Sequence, residues 1–229
     1  MRTGYFLSVA AAALVGLATA APGSILTFDL YQNAAGQSPI AYGDLIPNAY
    51  GDHITALSDG VGSYAQGNGF TPNIAVDYRH YDPDFPNPPI EYNLAYGDAE
   101  FGDLFDVAYN LTNGHLAEIT LIPEDTMVRL NSFDLAYWTL AQTPAKQVIR
   151  ILDHNQQVLF DYSAEDVPHD GLNHVTLSPD ITSSGPLTIQ FGQNYNLGID
   201  NVNFDQVPEP ATLSLLALAA PALLIRRKK

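Results

Sequence analysis

Eleven short apolar or alternating runs recur between Ile25 and Phe204, and none of them sustains a 3.6-residue apolar period. They are Ile25 to Leu30, His53 to Leu57, Ile74 to Tyr78, Phe105 to Leu111, Leu116 to Ile122, Met127 to Tyr137, Gln147 to Leu152, Gln157 to Tyr162, His174 to Leu177, Leu187 to Phe191 and Leu197 to Phe204. Runs of this length, bounded by turn residues, read as β-strands. So many strands can bury their apolar faces only by stacking two sheets or by closing into a barrel. The 17 Gly, 16 Pro and 13 Tyr of the 229-residue chain suit strands and turns better than long helices. With no tandem repeat and no long linker, residues 21–206 are expected to form one all-β domain.

Some runs alternate clearly enough to assign faces. In Leu187-Thr-Ile-Gln-Phe191 the Leu, Ile and Phe share one face. In the last run, Ile199, Asn201 and Asn203 oppose Asp200, Val202 and Phe204. The long run from Val128 to Trp138 changes phase between Leu130 and Phe133, which predicts a bulge or a strand that switches sheets. Ile151 to Phe160 reads as two strands around a polar turn, Asp153 to Gln156.

Charge narrows the range of partners. Between residues 3 and 225 only Arg79, Arg129, Lys146 and Arg150 are basic, against all 25 acids. Such a surface repels the phosphate backbone, so nucleic acid is excluded as a partner. The absence of cysteine excludes disulfides, thiolate catalysis and thiolate metal sites.

The remaining basic residues stand at the termini, and both ends read as addresses. Met1 to Ala20 has a basic start at Arg2, an apolar run from Tyr5 to Leu17, and small residues before an expected cut after Ala20. This is the layout of a secretory signal peptide. The tail is apolar from Leu213 to Ile225 and closes on Arg226-Arg-Lys-Lys229. As a helix these thirteen residues reach about 20 Å, a marginal span of a ~30 Å hydrocarbon core, with the basic end retained on the cytoplasmic side.

Val207-Pro208-Glu209-Pro210, the apolar segment and the terminal basic pair Arg226-Arg227 with the two lysines together resemble the PEP-CTERM protein-sorting signal. Domain catalogues have also called this segment an ice-binding-protein C-terminal domain, a label that carries no evidence of ice binding. The resemblance covers residues 207–229. It implies export, a transient hold at the inner membrane through a short C-terminal hydrophobic helix, and cutting near the Pro-Glu-Pro by an exosortase-type enzyme. The mature protein is then expected at the cell surface or outside the cell, often alongside exopolysaccharide.

The body also resembles the sandwiches of many PEP-CTERM proteins, through "YGDHITAL", "TPNIAVDY", "LNSFDLAYW", "ILDHNQQVLF" and "LTIQFGQNYNLGIDNVNF". These are similar to galactose-binding-like jelly rolls, which implies a jelly-roll β-sandwich closing near Phe204. The likeness to calcium-binding jelly rolls implies a structural calcium joining the first and last strands. Asp29 of "TFD" and Asp200 of "GIDN" are the residues it points to, although Asp200 and Asn201 equally suit the cap of a strand or turn.

Catalytic signatures are sparse. None of His53, His80, His115, His154, His169 and His174 forms a compact metal motif, and His169 and His174 flank a turn at Asp170-Gly171. There is no nucleophile elbow and no phosphate-cradling loop. Asp98, Glu100, Asp103 and Asp106, or Glu124 and Asp125, are the acids from which a glycoside hydrolase would draw its pair. Sugar binding calls for exposed aromatics that stack on a pyranose face, and Trp138, Tyr137, Tyr78, Tyr81 and Phe85 are candidates, with Trp138 and Tyr81 foremost. The expectation is an exported, non-enzymatic protein that binds carbohydrate or exopolysaccharide. The alternatives are a structural or adhesive envelope component and a secreted glycoside hydrolase.

Overall fold

The computed structural model describes residues 23–30, 42–55, 69–82, 93–97, 100–138, 147–193 and 196–208. Among the described residues twelve strands run in chain order: β1 (Ser24–Leu26), β2 (Ile74–Tyr81), β3 (Ala95–Gly97), β4 (Val107–Tyr109), β5 (Leu116–Pro123), β6 (Met127–Tyr137), β7 (Val148–Leu152), β8 (Val158–Asp161), β9 (Val175–Leu177), β10 (Ile181–Ser183), β11 (Leu187–Gly192) and β12 (Leu197–Val207). A single turn of 3₁₀ helix, Ala164–Asp166, joins β8 to β9.

The strands form two antiparallel sheets. One has five strands in the order β2-β5-β11-β7-β8. The other has seven, with β10-β6-β12-β4-β3 as its backbone, β1 added beside β12 and β9 beside β6. Their inner faces share one core, in which Ile119, Leu121, Ile151, Leu187, Ile189 and Phe191 of the smaller sheet meet Leu130, Phe133, Leu135, Ile199, Val202 and Phe204 of the larger. The protein is an all-β sandwich. Leu187, Ile189 and Phe191 share the inner face as their alternation predicts.

Polar residues behind the core are satisfied within the sheet. On the outer side of the smaller sheet, Gln190 Nε2 donates to Glu118 Oε1 at 2.7 Å, Arg150 Nε donates to Gln190 Oε1, and the Thr120 and Thr188 hydroxyls lie 3.0 Å apart. Cross-strand bonding of this kind lets Gln190 be fully covered without the cost of a lost partner.

The phase change in β6 is real and has a partner. Opposite it, β12 shifts register between Asp200 and Asn203 and again between Asn203 and Phe204. Asn201 takes the extra position with φ at +51°, the left-handed region that Asn tolerates better than most residues. The bulge overturns the faces expected for β12. Ile199, Val202 and Phe204 all point into the core, while Asp200 leaves it.

Other boundaries shift for similar reasons. β1 stops at Leu26 rather than Leu30, because Phe28 adopts φ of +50° and turns the chain. His53 to Leu57 is no strand in its described part, which contributes only an isolated bridge from Ile54 to Thr71. β3 and β10, three residues each, carry too little pattern to be read in advance. The turn at Asp153 to Gln156 forms as expected, with Asp153 Oδ1 accepting from the amides of Asn155 and Gln157 at 2.8 Å each.

Val207 closes β12 and Pro208 follows it, exposed. Ala20, Glu209, Pro210, Arg226 and Arg227 lie outside the described residues, as does the C-terminal apolar run. Among the described residues, no helix is long and apolar enough to cross a membrane.

Candidate functional site

The outer face of the seven-stranded sheet gathers most of the chemistry. Leu45 bridges Ala95, Ala95 pairs with Tyr109, Tyr109 with Gly198, and Gly198 with Ala136. Directly opposed residues point the same way, so these five form one outward row. The small residues in the row leave a depression, and Phe101 fills it. A Cβ at Gly198 would come within 2.8 Å of the Phe101 ring, and one at Gly97 within 3.0 Å. Phe101, Leu104, Val107, Tyr109, Ala95 and Ala136 make a second apolar cluster, separate from the main core.

Aromatic rings extend from this cluster to the surface. Phe101 and Tyr109 have ring centroids 5.5 Å apart, and Tyr42 lies 5.7 Å from Tyr109 with planes at 33°. Tyr109 is buried, whereas Tyr42 keeps 48% of its surface exposed. Trp138 packs half-buried against the same cluster, bridging Phe101, and its indole Nε1–H donates to Glu100 Oε2 at 2.8 Å. A ring held by one neighbour and open on the other side is the form in which aromatics stack on sugar faces.

The other foremost aromatic is not brought to this face. Tyr81 ends β2, in the opposite sheet, and its side chain lies outside the described residues, as does Phe85. Tyr78 and Tyr137 are core residues and are withdrawn as platforms. Tyr78 hydrogen-bonds the Tyr50 carbonyl at 3.0 Å, and the Tyr137 hydroxyl lies 3.3 Å from the Ala164 carbonyl.

Beside the aromatic row stands an acidic one. Asp200 pairs directly with Asp134 across the β12–β6 ladder, and Asp134 pairs with Thr176 of β9. Both aspartates are buried. Burial pushes the Asp200 carboxyl up to about 8, its Asn201 amide opposes this, and the carboxylates of Asp134, Asp29 and Asp106 add to the rise. Two carboxylates that cannot both be hydrated resist a second negative charge. His174 approaches from the loop before β9, with Nδ1 2.8 Å from Asp103 Oδ1 and Nε2 4.0 Å from Asp134 Oδ1.

Asp29 and Asp200 are thus close enough to interact, yet they differ in setting, Asp29 being exposed and Asp200 buried. Calcium takes six to eight oxygens. Among the described residues, no group of three or more His, Asp or Glu side chains gathers to hold a metal ion, so the pair by itself falls short of a calcium cage.

Three of the acids considered for hydrolysis already hold a neighbour. Glu100 holds Trp138, Asp103 holds His174, and Asp106 accepts from the Tyr96 hydroxyl. Glu124 and Asp125 are exposed in the β5–β6 turn, and Asp98 lies outside the described residues. His169 and His174 flank a turn as expected, in which Asp170 Oδ1 accepts from the amides of Leu172 and Asn173.

Three residues of this face escaped sequence reading. Asp134 stands in the run "NSFDLAY", where its polar character among apolar neighbours was the available signal. Tyr42 and Tyr109 gave none, because their meeting depends on residues 43–46 pairing with β3. No protein-family model and no curated protein matches this chain.

Proposed function

We propose that this chain is an exported, non-enzymatic protein that binds carbohydrate through the outer face of its seven-stranded sheet. The observation that carries this reading is the aromatic row: Tyr42 stacked on buried Tyr109 with nearly half its surface open, and Trp138 anchored through Glu100. The exposed carboxylates of Glu100 and Asp103, each already holding one neighbour, retain lone pairs that can accept from sugar hydroxyls. The strand arrangement is that of a jelly roll in this reading. The tail from Val207 to Lys229 acts as a PEP-CTERM-type sorting signal, so that an exosortase-type enzyme and the inner membrane are partners during export. The mature domain works at the cell surface or in the extracellular matrix, where exopolysaccharide is the ligand class.

Glycan-array retention followed by calorimetry with the retained soluble polysaccharide tests the binding. Saturable binding, lost in both Tyr42→Ala and Trp138→Ala, supports the assignment. No retention at all, or retention unchanged in both variants, refutes it and leaves a structural or adhesive envelope component. Release of reducing sugar ends during incubation would move the protein to the glycoside hydrolases instead.

A further inference from the structure

The chain enters and leaves the seven-stranded sheet by the same end. β1 begins at Ser24 opposite Phe204 and runs antiparallel to β12, while β12 continues to Val207 opposite Met127, the first residue of β6. That end is pinned to its last residue. The Thr126 hydroxyl donates to the Val207 carbonyl at 2.8 Å. Gln206 Oε1 accepts from the Asn73 amide at 2.8 Å, which joins β12 to the residue that precedes β2 of the other sheet. β12 is therefore held as an arm up to the point where the tail departs.

The aromatic row lies at the other end of the same arm. Gly198, the β12 member of the row, stands nine residues before Val207 (207 − 198 = 9). Strands rise about 3.3 Å per residue, so the two are roughly 30 Å apart, a little less for the bulge at Asn201. Trp138 follows Tyr137, the partner of Leu197, and so stands at the far end as well. Tyr42 packs on Tyr109, the direct partner of Gly198, and shares that end. The acids gather there too. Glu100 holds Trp138, Asp103 holds His174, and Asp200 opposes Asp134 two residues along from Gly198. Among the described residues the only Lys or Arg of this sheet is Arg129, near the tail end opposite Asp205.

We infer that the uncut protein is a tethered receptor: with its tail in the bilayer it displays the Tyr42–Trp138 face on the end of the sandwich turned away from the lipid, and it captures polysaccharide there before any release. This rests on the sorting and carbohydrate readings above. Only Pro208 to Thr212 lie between Val207 and the apolar run that starts at Leu213. Fully extended, that connection reaches at most about 20 Å, and its two prolines stiffen it. The root of the sandwich therefore stays close to the membrane. An anionic lipid surface repels the acids at the far end, so the arm stands away from the bilayer instead of lying along it. The row from Leu45 to Ala136 crosses five strand positions, about 19 Å at ~4.8 Å per strand, which is room for several sugar rings and so for a polymer. Because the row runs across the strands, a bound polysaccharide lies parallel to the membrane.

Trp138 is the single tryptophan of the chain, so its emission reports where this face stands. The exported but uncut protein, with Lys229 present, is reconstituted in vesicles of phosphatidylcholine and phosphatidylglycerol that carry a dansyl headgroup lipid. Energy transfer from Trp138 is compared with transfer from Glu124→Trp in a Trp138→Phe background. Glu124 is exposed in the β5–β6 turn, beside Thr126 and the root of the tail. Transfer is expected to be several-fold stronger from position 124. In the wild type itself, a headgroup nitroxide that quenches on near contact should leave Trp138 emission unchanged. The same vesicles should carry the polysaccharide retained on the glycan array with them on flotation, saturably, and lose it in Tyr42→Ala. Equal or stronger transfer from Trp138, its quenching by the nitroxide, or vesicles that fail to carry a polysaccharide bound by the form cut near Glu209 would each overturn the inference and leave the carbohydrate reading standing. Protein that does not float with the vesicles overturns the sorting reading and the tether with it. Protein that binds no glycan in either form removes the carbohydrate reading, and the receptor role falls with it.

Discussion

Asp200 and Asp134 face each other directly across the β12–β6 ladder, and the side-chain amide of Asn201 reaches both. Its Nδ2 lies 2.9 Å from Asp134 Oδ2 and 3.3 Å from Asp200 Oδ2, while the Asn201 backbone amide donates to Asp200 Oδ1 at 2.6 Å. Like charges directly opposed in a sheet are destabilising, and burial sharpens the conflict. Burial, with the carboxylates around it, therefore keeps the proton on Asp200 near neutral pH.

That proton gives a signed pH dependence. In the folded state Asp200 titrates near 8, against 3.8 for an ordinary aspartate. Between those values the native protein binds more protons than the unfolded chain, so this group's stabilising contribution is complete below pH 4 and is lost as pH rises toward 8. Asp200→Asn removes the contribution. Urea unfolding at pH 5 and pH 8 should show wild type losing more stability than the variant over that interval, by on the order of 2–5 kcal/mol. Equal losses would mean that Asp200 ionises normally.

Gly198 is required by the ring above it. An added Cβ would lie 2.8 Å from Phe101 Cδ1 and 2.9 Å from Val107 Cγ2, closer than real Cβ contacts allow. Gly198→Ala is expected to cost about 1–3 kcal/mol by displacing Phe101, read as a lower thermal midpoint. Phe101→Ala in the same background should relieve the clash, so the double variant will be less destabilised than the two single losses added together.

Packing and binding separate on the aromatic row. Phe101 is fully buried, and Phe101→Ala should cost about 3–5 kcal/mol. Tyr42 is half exposed, and Tyr42→Ala should change stability by no more than about 1 kcal/mol while abolishing glycan retention. Chemical denaturation run beside the binding assay distinguishes them.

His80 is expected to titrate below 6.5, chiefly because burial disfavours its cation. The unfolded chain then takes up protons first as pH falls, so this residue's contribution to stability is present above pH 6.5 and is lost on acidification. The sign is opposite to that of Asp200. Ring proton shifts followed from pH 8 to pH 4 report the midpoint directly, and a value at or above 6.5 would contradict the burial argument.

The proposed sorting role predicts that an exported form ends near Glu209. Mass spectrometry of surface-released protein is expected to find a C-terminus near the Pro-Glu-Pro and an N-terminus at Ala21. An intact Lys229 in that material would contradict processing at this site.

Most strands were legible because a two-residue alternation is a local property, written in neighbouring side chains. β6 could be read end to end, and even its phase slip announced a bulge. The partner of that bulge could not be read. Whether Asp200 shares a face with Val202 depends on where the ladder to β6 skips, and Asn201 decides it by entering the left-handed region. The same limit applied to sites. Trp138 was recognisable by residue type, but Tyr42 acquires its role only when residues 43–46 pair with β3, and the separation of both from Val207 follows only from the β12–β6 register. Alternation and charge, being local or summed along the chain, determined an acidic all-β protein. Which carboxylates, rings and imidazoles are brought together was decided by strand pairing between distant residues, because register is set by the whole sheet.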